Sequence, residues 1–342
     1  MRAIITIQHP AHVHFFRNTI EELQSDGHEI RVLARQKEIA LELLDIYNLE
    51  YTVTAMEHEG LLSLPRVQVK HEWDILKEAK KFNPDVLAAI GEPAVAHVAK
   101  LIDANSIIFT DTEHARLQNM LAFPFVDRIC TPNCYIGDIG EKQIRYPSYH
   151  ELAYLHPKRF EPDPTILNDI GLSTEDRFVI LRTVDWNAVH DIGDSGINNI
   201  TSVVTALENM GVRVFITAEG GIPETIEHCK LRIEPHRIHH LMYYADLFLG
   251  ESATMATESA VLGTPAIFVS TIPLGYTDEL EEEYKLLFNF SGPQRHNKAL
   301  SQAISILQNN NQSKWRQRRK ELLEEKVDTT KFILKQIRAI QS

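Results

Sequence analysis

Apolar positions along this chain follow two alternating rhythms. Short unbroken apolar runs, as in strands buried on both faces, are separated by stretches where apolar residues recur every three or four positions, as on one face of a helix. Ala3 to Ile7 is the first run; it breaks at Gln8-His9-Pro10-Ala11-His12, and an amphipathic helix is predicted from Val13 to Gln24, closed by Gly27. A strand over Glu29 to Ala34, a helix over Lys37 to Tyr47 and a strand around Tyr51 to Thr54 follow. After a loop rich in Glu, Gly and Leu (Glu57 to Pro65), the pattern predicts a helix over Val69 to Phe82 and a strand over Val86 to Ile90, which ends in Gly91-Glu92-Pro93. A helix over Ala94 to Ile102 leads to a strand over Ser106 to Thr110, ending in Asp111-Thr112-Glu113-His114. This rhythm predicts an α/β fold with a parallel, doubly wound sheet.

From Tyr135 to Asp169 the alternation lapses and prolines gather (Pro147, Pro157, Pro162, Pro164), as expected of a connection between domains. It resumes with a strand over Phe178 to Arg182, a polar loop over Thr183 to Ile197, a helix over Asn199 to Met210 and a strand over Val212 to Thr217 that ends in Ala218-Glu219-Gly220-Gly221. A short helix near His236 to Tyr244 precedes the most informative stretch. There a strand (Leu247 to Leu249), a small-residue turn (Gly250 to Ala253), a helix (Thr254 to Leu262) and a second strand (Ala266 to Val269) follow one another, with Gly263 ending the helix. Residues from Lys298 to Ser342 read as charged helices. The expected division is a first domain over 1–150, a linker over 151–170, a second domain over 171–310 and C-terminal helices over 311–342 that return to the first domain.

The turn at 250–253 brings Ser252, Ala253 and Thr254 to the free amides and positive dipole end of the helix, a place suited to phosphate. Glu258 lies one turn on, on the same face as Thr254, where a carboxylate can accept hydrogen bonds from a ribose diol. The plainer reading is a Ser or Thr that caps the helix.

Composition narrows the classes. A length of 342 residues accommodates two α/β domains, and 44% apolar with 24% charged residues is ordinary for a globular protein. The net charge of −12 argues against a nucleic-acid partner. No apolar stretch approaches a membrane span, and the three cysteines match no zinc or redox motif, so a reduced, cytoplasmic protein is expected. The first strand–helix turn lacks G-x-G-x-x-G, which disfavours a dehydrogenase.

Ligands of open parallel sheets gather at the carboxyl ends of strands. The first domain offers His9, His12, His14, Glu92, Asp111, Glu113 and His114 there; the second offers Arg182, Asp185, His190, Asp191, Glu219, Ser252, Thr254 and Glu258. If the domains face each other across a cleft, both sets line it. His12 is a candidate general base, against packing at the helix entrance beside Phe15 and Phe16. Glu92 and Glu113 are candidates for an acid–base pair, against solvated loop carboxylates. Arg182 is placed to neutralise a departing diphosphate, and His190-Asp191 marks a location without a role. His236, His239 and His240 lack a completing carboxylate or cysteine nearby, so no metal is expected. The basic run Lys314 to Lys320 suits weak contact with an anionic membrane surface, but Glu321, Glu324 and Glu325 favour an exposed salt-bridged helix.

Four segments carry a resemblance: Gln8-His9-Pro10-Ala11-His12-Val13-His14-Phe15-Phe16, Thr110-Asp111-Thr112-Glu113-His114-Ala115, Ala153-Tyr154-Leu155-His156-Pro157 and Tyr244-Ala245-Asp246-Leu247-Phe248-Leu249-Gly250. They resemble an uncharacterised prokaryotic family, domain of unknown function 354, over nearly the whole chain. The resemblance implies the GT-B architecture, two Rossmann-like parallel-sheet domains facing across a cleft. Ser252 through Pro265 is similar to the donor segment of the N-acetylglucosaminyltransferase of peptidoglycan synthesis, which implies UDP with Glu258 on the ribose. The same stretch resembles the non-hydrolysing UDP-N-acetylglucosamine 2-epimerases, which carry acidic residues at positions similar to Glu92 and Glu113. The chain departs from both. It has Glu113-His114-Ala115-Arg116-Leu117 in place of the epimerases' Glu-Ala-Gly-Leu-Arg, no Gly-His-Arg-Arg-Glu-Asn after Leu181, and no glycine-rich first loop like the transferase's.

The expectation is therefore a metal-independent, cofactor-free glycosyltransferase using a UDP-sugar as substrate, with a surface-glycan or lipid-linked acceptor in polysaccharide biosynthesis. Ser252, Ala253 and Thr254 would hold the diphosphate, Glu258 the ribose, His239 with its preceding loop the base, and Glu219 would border the same site. His12 would deprotonate the acceptor, with Glu113 as partner or substitute. The alternatives are a UDP-sugar 2-epimerase working through Glu92 and Glu113, and a non-catalytic nucleotide-sugar-binding protein.

Overall fold

A computed structural model describes residues 1–54, 64–183, 200–218, 221–309 and 311–340. The chain forms two compact units, Met1–Arg159 with Lys326–Ser342, and Phe160–Glu325.

The first unit runs β1 (Arg2–Ile7), α1 (Pro10–Ser25), β2 (Glu29–Ala34), α2 (Glu38–Ile46), β3 (Tyr51–Val53), α3 (Leu64–Phe82), β4 (Val86–Ile90), α4 (Pro93–Ile102), β5 (Asn105–Phe109), α5 (Arg116–Ala122), β6 (Arg128–Pro132) and β7 (Gln143–Tyr146). Its seven strands pair in parallel in the order β3-β2-β1-β4-β5-β6-β7. Ala3, Ile4, Ile5 and Ile7 are fully buried and Thr6 nearly so, which is why β1 reads as an almost continuous apolar run. The strand order reverses between β1 and β4, so this sheet's ligand crevice is expected beyond their carboxyl ends.

The second unit contains α6 (Thr165–Asp169), β8 (Phe178–Thr183), α7 (Ile200–Glu208), β9 (Arg213–Ala218), α8 (Ile238–Tyr244), β10 (Leu247–Gly250), α9 (Ala253–Leu262), β11 (Ala266–Val269), α10 (Gly275–Glu282), β12 (Leu287–Phe290), α11 (Arg295–Asn309) and α12 (Gln312–Glu325). Its five strands are parallel in the order β12-β11-β10-β8-β9, with the reversal between β8 and β10. These are the two parallel-sheet α/β domains of the GT-B architecture.

Several boundaries differ from the sequence reading. The stretch 135–169, expected to be irregular, contains β7; this edge strand is too short and too exposed to show a clear apolar pattern. Residues 150–159 belong to the first unit and 160–170 to the second. The C-terminal helices divide: α12 stays with the second unit, where Arg319 Nε donates to Val261 O at 2.9 Å and Arg318 to Lys285 O at 2.7 Å. Two cations of the basic run are thus held by backbone carbonyls. The last helix, α13 (Thr329–Ala339), joins the first unit, where Thr330 Oγ1 donates to Ala153 O at 2.6 Å and Phe332 stacks on Tyr146. Among the described residues, no helix is long and apolar enough to cross a membrane.

Candidate functional site

In the second unit, the turn after β10 sits at the reversal of strand order. Gly250 is required there: a Cβ on it would meet Arg182 O at 2.6 Å and Arg182 Cβ at 2.7 Å, so β8 and β10 close together only without a side chain. Ser252 adopts the extended conformation of an N-cap (φ −95°, ψ 113°), and its hydroxyl accepts from Met255 N at 3.3 Å. Its carbonyl takes Ala256 N at 3.0 Å. Among the described residues, no protein group bonds the amides of Ala253 and Thr254, and residues 251–255 are partly exposed. The capping reading is therefore correct for Met255, while the first two amides of α9 remain open to an anion. Ser252 Oγ accepts from Met255 and still has a proton to donate.

Glu258 lies on α9 as the spacing predicted, but it is buried and its Oε1 lies 2.9 Å from Nε2 of buried His239 on α8. Two residues expected to face a nucleotide separately are partners of each other. The neighbouring histidines go elsewhere: His240 Nδ1 of α8 accepts from Asp163 N at 2.9 Å, and His236, in the 3-10 turn Pro235–Arg237 before α8, lies 3.8 Å from Glu234. Glu219, Asp185, His190 and Asp191 lie outside the described residues.

In the first unit, the carboxyl ends of β1 and β4 hold a buried polar cluster. Glu92 occupies the N-cap position of α4 but gives its helix no side-chain bond. Its carboxylate, 1% exposed, instead accepts from Thr6 Oγ1 and from Nε2 of fully buried His71, whose Nδ1 lies 3.1 Å from Thr54 Oγ1. Burial alone would raise the Glu92 carboxyl; the bonds from His71, Thr6 and Gln8 outweigh it and bring it down to about 2. Glu92 is thus a fixed anion, not a proton donor near neutrality.

Gln8 N donates to His12 Nδ1 at 3.4 Å, which leaves the proton of the neutral ring on Nε2. His12 is half-buried as a residue, yet burial of its ring is the largest influence on it. With His9 adding to that effect and Glu92 opposing it, the ring falls to about 3. A neutral ring held this way offers its Nε2 proton as a hydrogen-bond donor.

Beside it Asp111, one of the expected strand-end residues, meets a histidine that the sequence did not single out. Asp111 Oδ2 lies 3.1 Å from Nδ1 of His150, which belongs to the short 3-10 turn His150–Ala153. His150 is 8% exposed, and its Nε2 is buried with no hydrogen-bond partner among the described residues. A carboxylate on one ring nitrogen that leaves a lone pair on the other is the arrangement of an oriented general base. Burial lowers the His150 pKa, with Asp111 acting against it. No local signal marks His150, because its segment follows an edge strand and lacks the alternation that identifies strand ends.

The remaining expected residues have other surroundings. Glu113 Oε1 accepts from Ile136 N at 3.0 Å, so Glu92 and Glu113 have different partners. His14 is buried, stacked on Tyr154 with 5.2 Å between centroids and 3.4 Å from Tyr47 Oη. His114 is exposed.

Comparison with known proteins gives the same architecture. An uncharacterised protein of Methanocaldococcus jannaschii is 23% identical over 282 residues, covering 77% of this chain and 80% of that protein. Among solved structures, S. aureus MnaA with UDP is similar at a TM-score of 0.71 with 11% identity, covering 99% of this chain and 96% of that one. Spinosyn forosaminyltransferase SpnP gives 0.69 with 12% identity over 100% and 99%. Neisseria meningitidis UDP-GlcNAc 2-epimerase bound to UDP-GlcNAc gives 0.68 with 12% identity over 98% and 99%. The family model described as protein of unknown function (DUF354) matches residues 1–314, and the chain belongs to that family.

Proposed function

We propose that this protein is a glycosyltransferase that binds a UDP-sugar and transfers the sugar to a surface-glycan or lipid-linked acceptor, with no metal in the chemistry. The observation that carries the reading is the α9 turn. Two open amides, the Ser252 and Thr254 hydroxyls and the helix dipole converge at the strand reversal, with Arg182 opposite Gly250 on neighbouring β8. That constellation suits a diphosphate, and proteins of the same fold have been solved with UDP and with UDP-GlcNAc. In the transfer, the acceptor hydroxyl loses its proton to a histidine and its oxygen bonds the anomeric carbon. The bond from that carbon to the diphosphate oxygen breaks, and the electron pair leaves with UDP, whose charge Arg182 and the amides stabilise. His12 is the first candidate base; the Asp111-oriented His150 is the better arranged one.

The alternative, a UDP-sugar 2-epimerase with Glu92 and Glu113 as acid and base, fits less well because Glu92 is committed to His71 and Thr6. Incubation with UDP-N-acetylglucosamine in heavy water separates the readings. The transferase reading expects no deuterium at the sugar's second carbon and release of UDP that depends on acceptor. Exchange at that carbon without acceptor favours the epimerase, and binding with no turnover of any donor favours a non-catalytic binding protein.

A further inference from the structure

One group of side chains outside both candidate sites converges as metal ligands do. Glu208 ends α7, and His228 and Cys229 end the 3-10 segment Glu224–Cys229 that follows β9. Their ligand atoms all lie within 4.8 Å of one another. His228 Nε2 is 3.2 Å, and Cys229 Sγ 3.7 Å, from the same oxygen of Glu208, Oε1. For a tetrahedral ion with bonds of roughly 2.0 Å to oxygen and nitrogen and 2.3 Å to sulfur, ligand atoms stand about 3.3–3.6 Å apart. The two observed separations are close to those edges.

The charges also fit. Lys230 and Arg232 lie just beyond this trio, but both pair with Glu227, at 3.8 Å and 3.0 Å. Glu208 meets a thiol and an imidazole instead of either cation. A carboxylate and a thiolate offset the two charges of a divalent ion, and imidazole completes a set of mixed hardness that suits zinc.

The elements that carry the ligands are fixed. Thr201 Oγ1 and Thr225 Oγ1, 3.3 Å apart, join the start of α7 to the 3-10 segment. Leu231 N donates to Ile216 O at 2.9 Å, pinning the following residues to edge strand β9. Cys229 and Ile226 are buried with Val203, Val204 and Leu207 of α7. The Glu208 and His228 side chains are 41% and 62% exposed, so an ion reaches the trio from solvent and keeps room for a fourth, non-protein ligand.

We propose that Glu208, His228 and Cys229 form a three-ligand site for a zinc-class divalent cation, joining the end of α7 to the segment after β9. Binding forms one bond each to carboxylate oxygen, imidazole Nε2 and sulfur, and the thiol proton leaves to solvent. The site is independent of the sugar-nucleotide reading.

The test is Co²⁺ titration of the full-length, chelator-treated protein, followed by absorption. The expected result is one Co²⁺ per chain, with a sulfur-to-cobalt charge-transfer band and the intense d–d bands of tetrahedral cobalt, both displaced by Zn²⁺. Cys229→Ala should lose the charge-transfer band. His228→Ala and Glu208→Gln, at exposed side chains, should weaken or abolish binding with the fold intact, so the proposal stays testable if the buried cysteine variant fails to fold. Absence of the charge-transfer band in the wild type, or its undiminished presence in His228→Ala, would overturn the proposal.

Discussion

Gly250 and Arg182 face each other across β10 and β8 so closely that a methyl group on Gly250 would lie 2.6 Å from the Arg182 carbonyl oxygen. The contact stands where the strand order of the second unit reverses, directly before the Ser252 turn. Gly250→Ala must therefore push β8 and β10 apart at the proposed diphosphate site. Overpacking of this kind costs about 1–3 kcal/mol. A lowered urea midpoint together with weaker nucleotide binding is expected; unchanged values for both would show that the approach is not tight.

The Glu258–His239 bond makes Glu258→Ala ambiguous as a test of ribose binding. Truncation leaves a buried imidazole without its acceptor, at a cost of about 1–3 kcal/mol in the absence of any ligand. Glu258→Gln keeps an acceptor oxygen and should recover most of that loss. Denaturant unfolding of both variants without nucleotide checks this. Equal destabilisation by both would mean that the carboxylate charge matters rather than the hydrogen bond.

Glu92 and His12 give stability the same pH dependence through opposite chemistry. Glu92 is held down near 2 from the ordinary 4.5 of a free glutamate, so its contribution is complete above 4.5 and is lost as pH falls toward 2. His12 is held near 3 from 6.5, so folding disfavours its charged form and stability falls as pH drops from 6.5 toward 3. Unfolding followed between pH 7 and pH 3 should show stability declining with acid, and His12→Gln should flatten the upper part of that decline. A His12→Gln profile parallel to wild type would contradict the assignment.

The parallel cores were legible because strands buried on both faces leave nearly continuous apolar runs, as in Ala3–Ile7 and the stretch around Leu247. Gln143–Tyr146 and Leu287–Phe290 were not, since each is a four-residue edge strand with one partly exposed flank. The Ser252 turn was legible because capping and anion binding both require small polar residues at a helix start. Partnership was not. His71 lies inside α3 and His150 in a short turn, and periodicity carries no sign that one reaches Glu92 and the other Asp111. The pairing of Glu258 with His239 depends on how α8 packs on α9, which neither segment states alone.

If His150 is the base, Asp111 sets its tautomer. Asp111→Asn should then lower turnover by on the order of 10²–10⁴ with donor affinity unchanged. His12→Gln should cost less. Steady-state rates with a competent donor and acceptor measure both, and the reverse order would return the role of base to His12.

The central claim is that the α9 turn holds a nucleoside diphosphate, and calorimetry with UDP tests it most directly. The wild type should bind one UDP per chain, and Arg182→Ala and Thr254→Ala should each weaken binding by about tenfold or more, the worth of a hydrogen bond to a charged group. No heat from the wild type with UDP or any UDP-sugar, or equal affinity in both variants, would contradict the account.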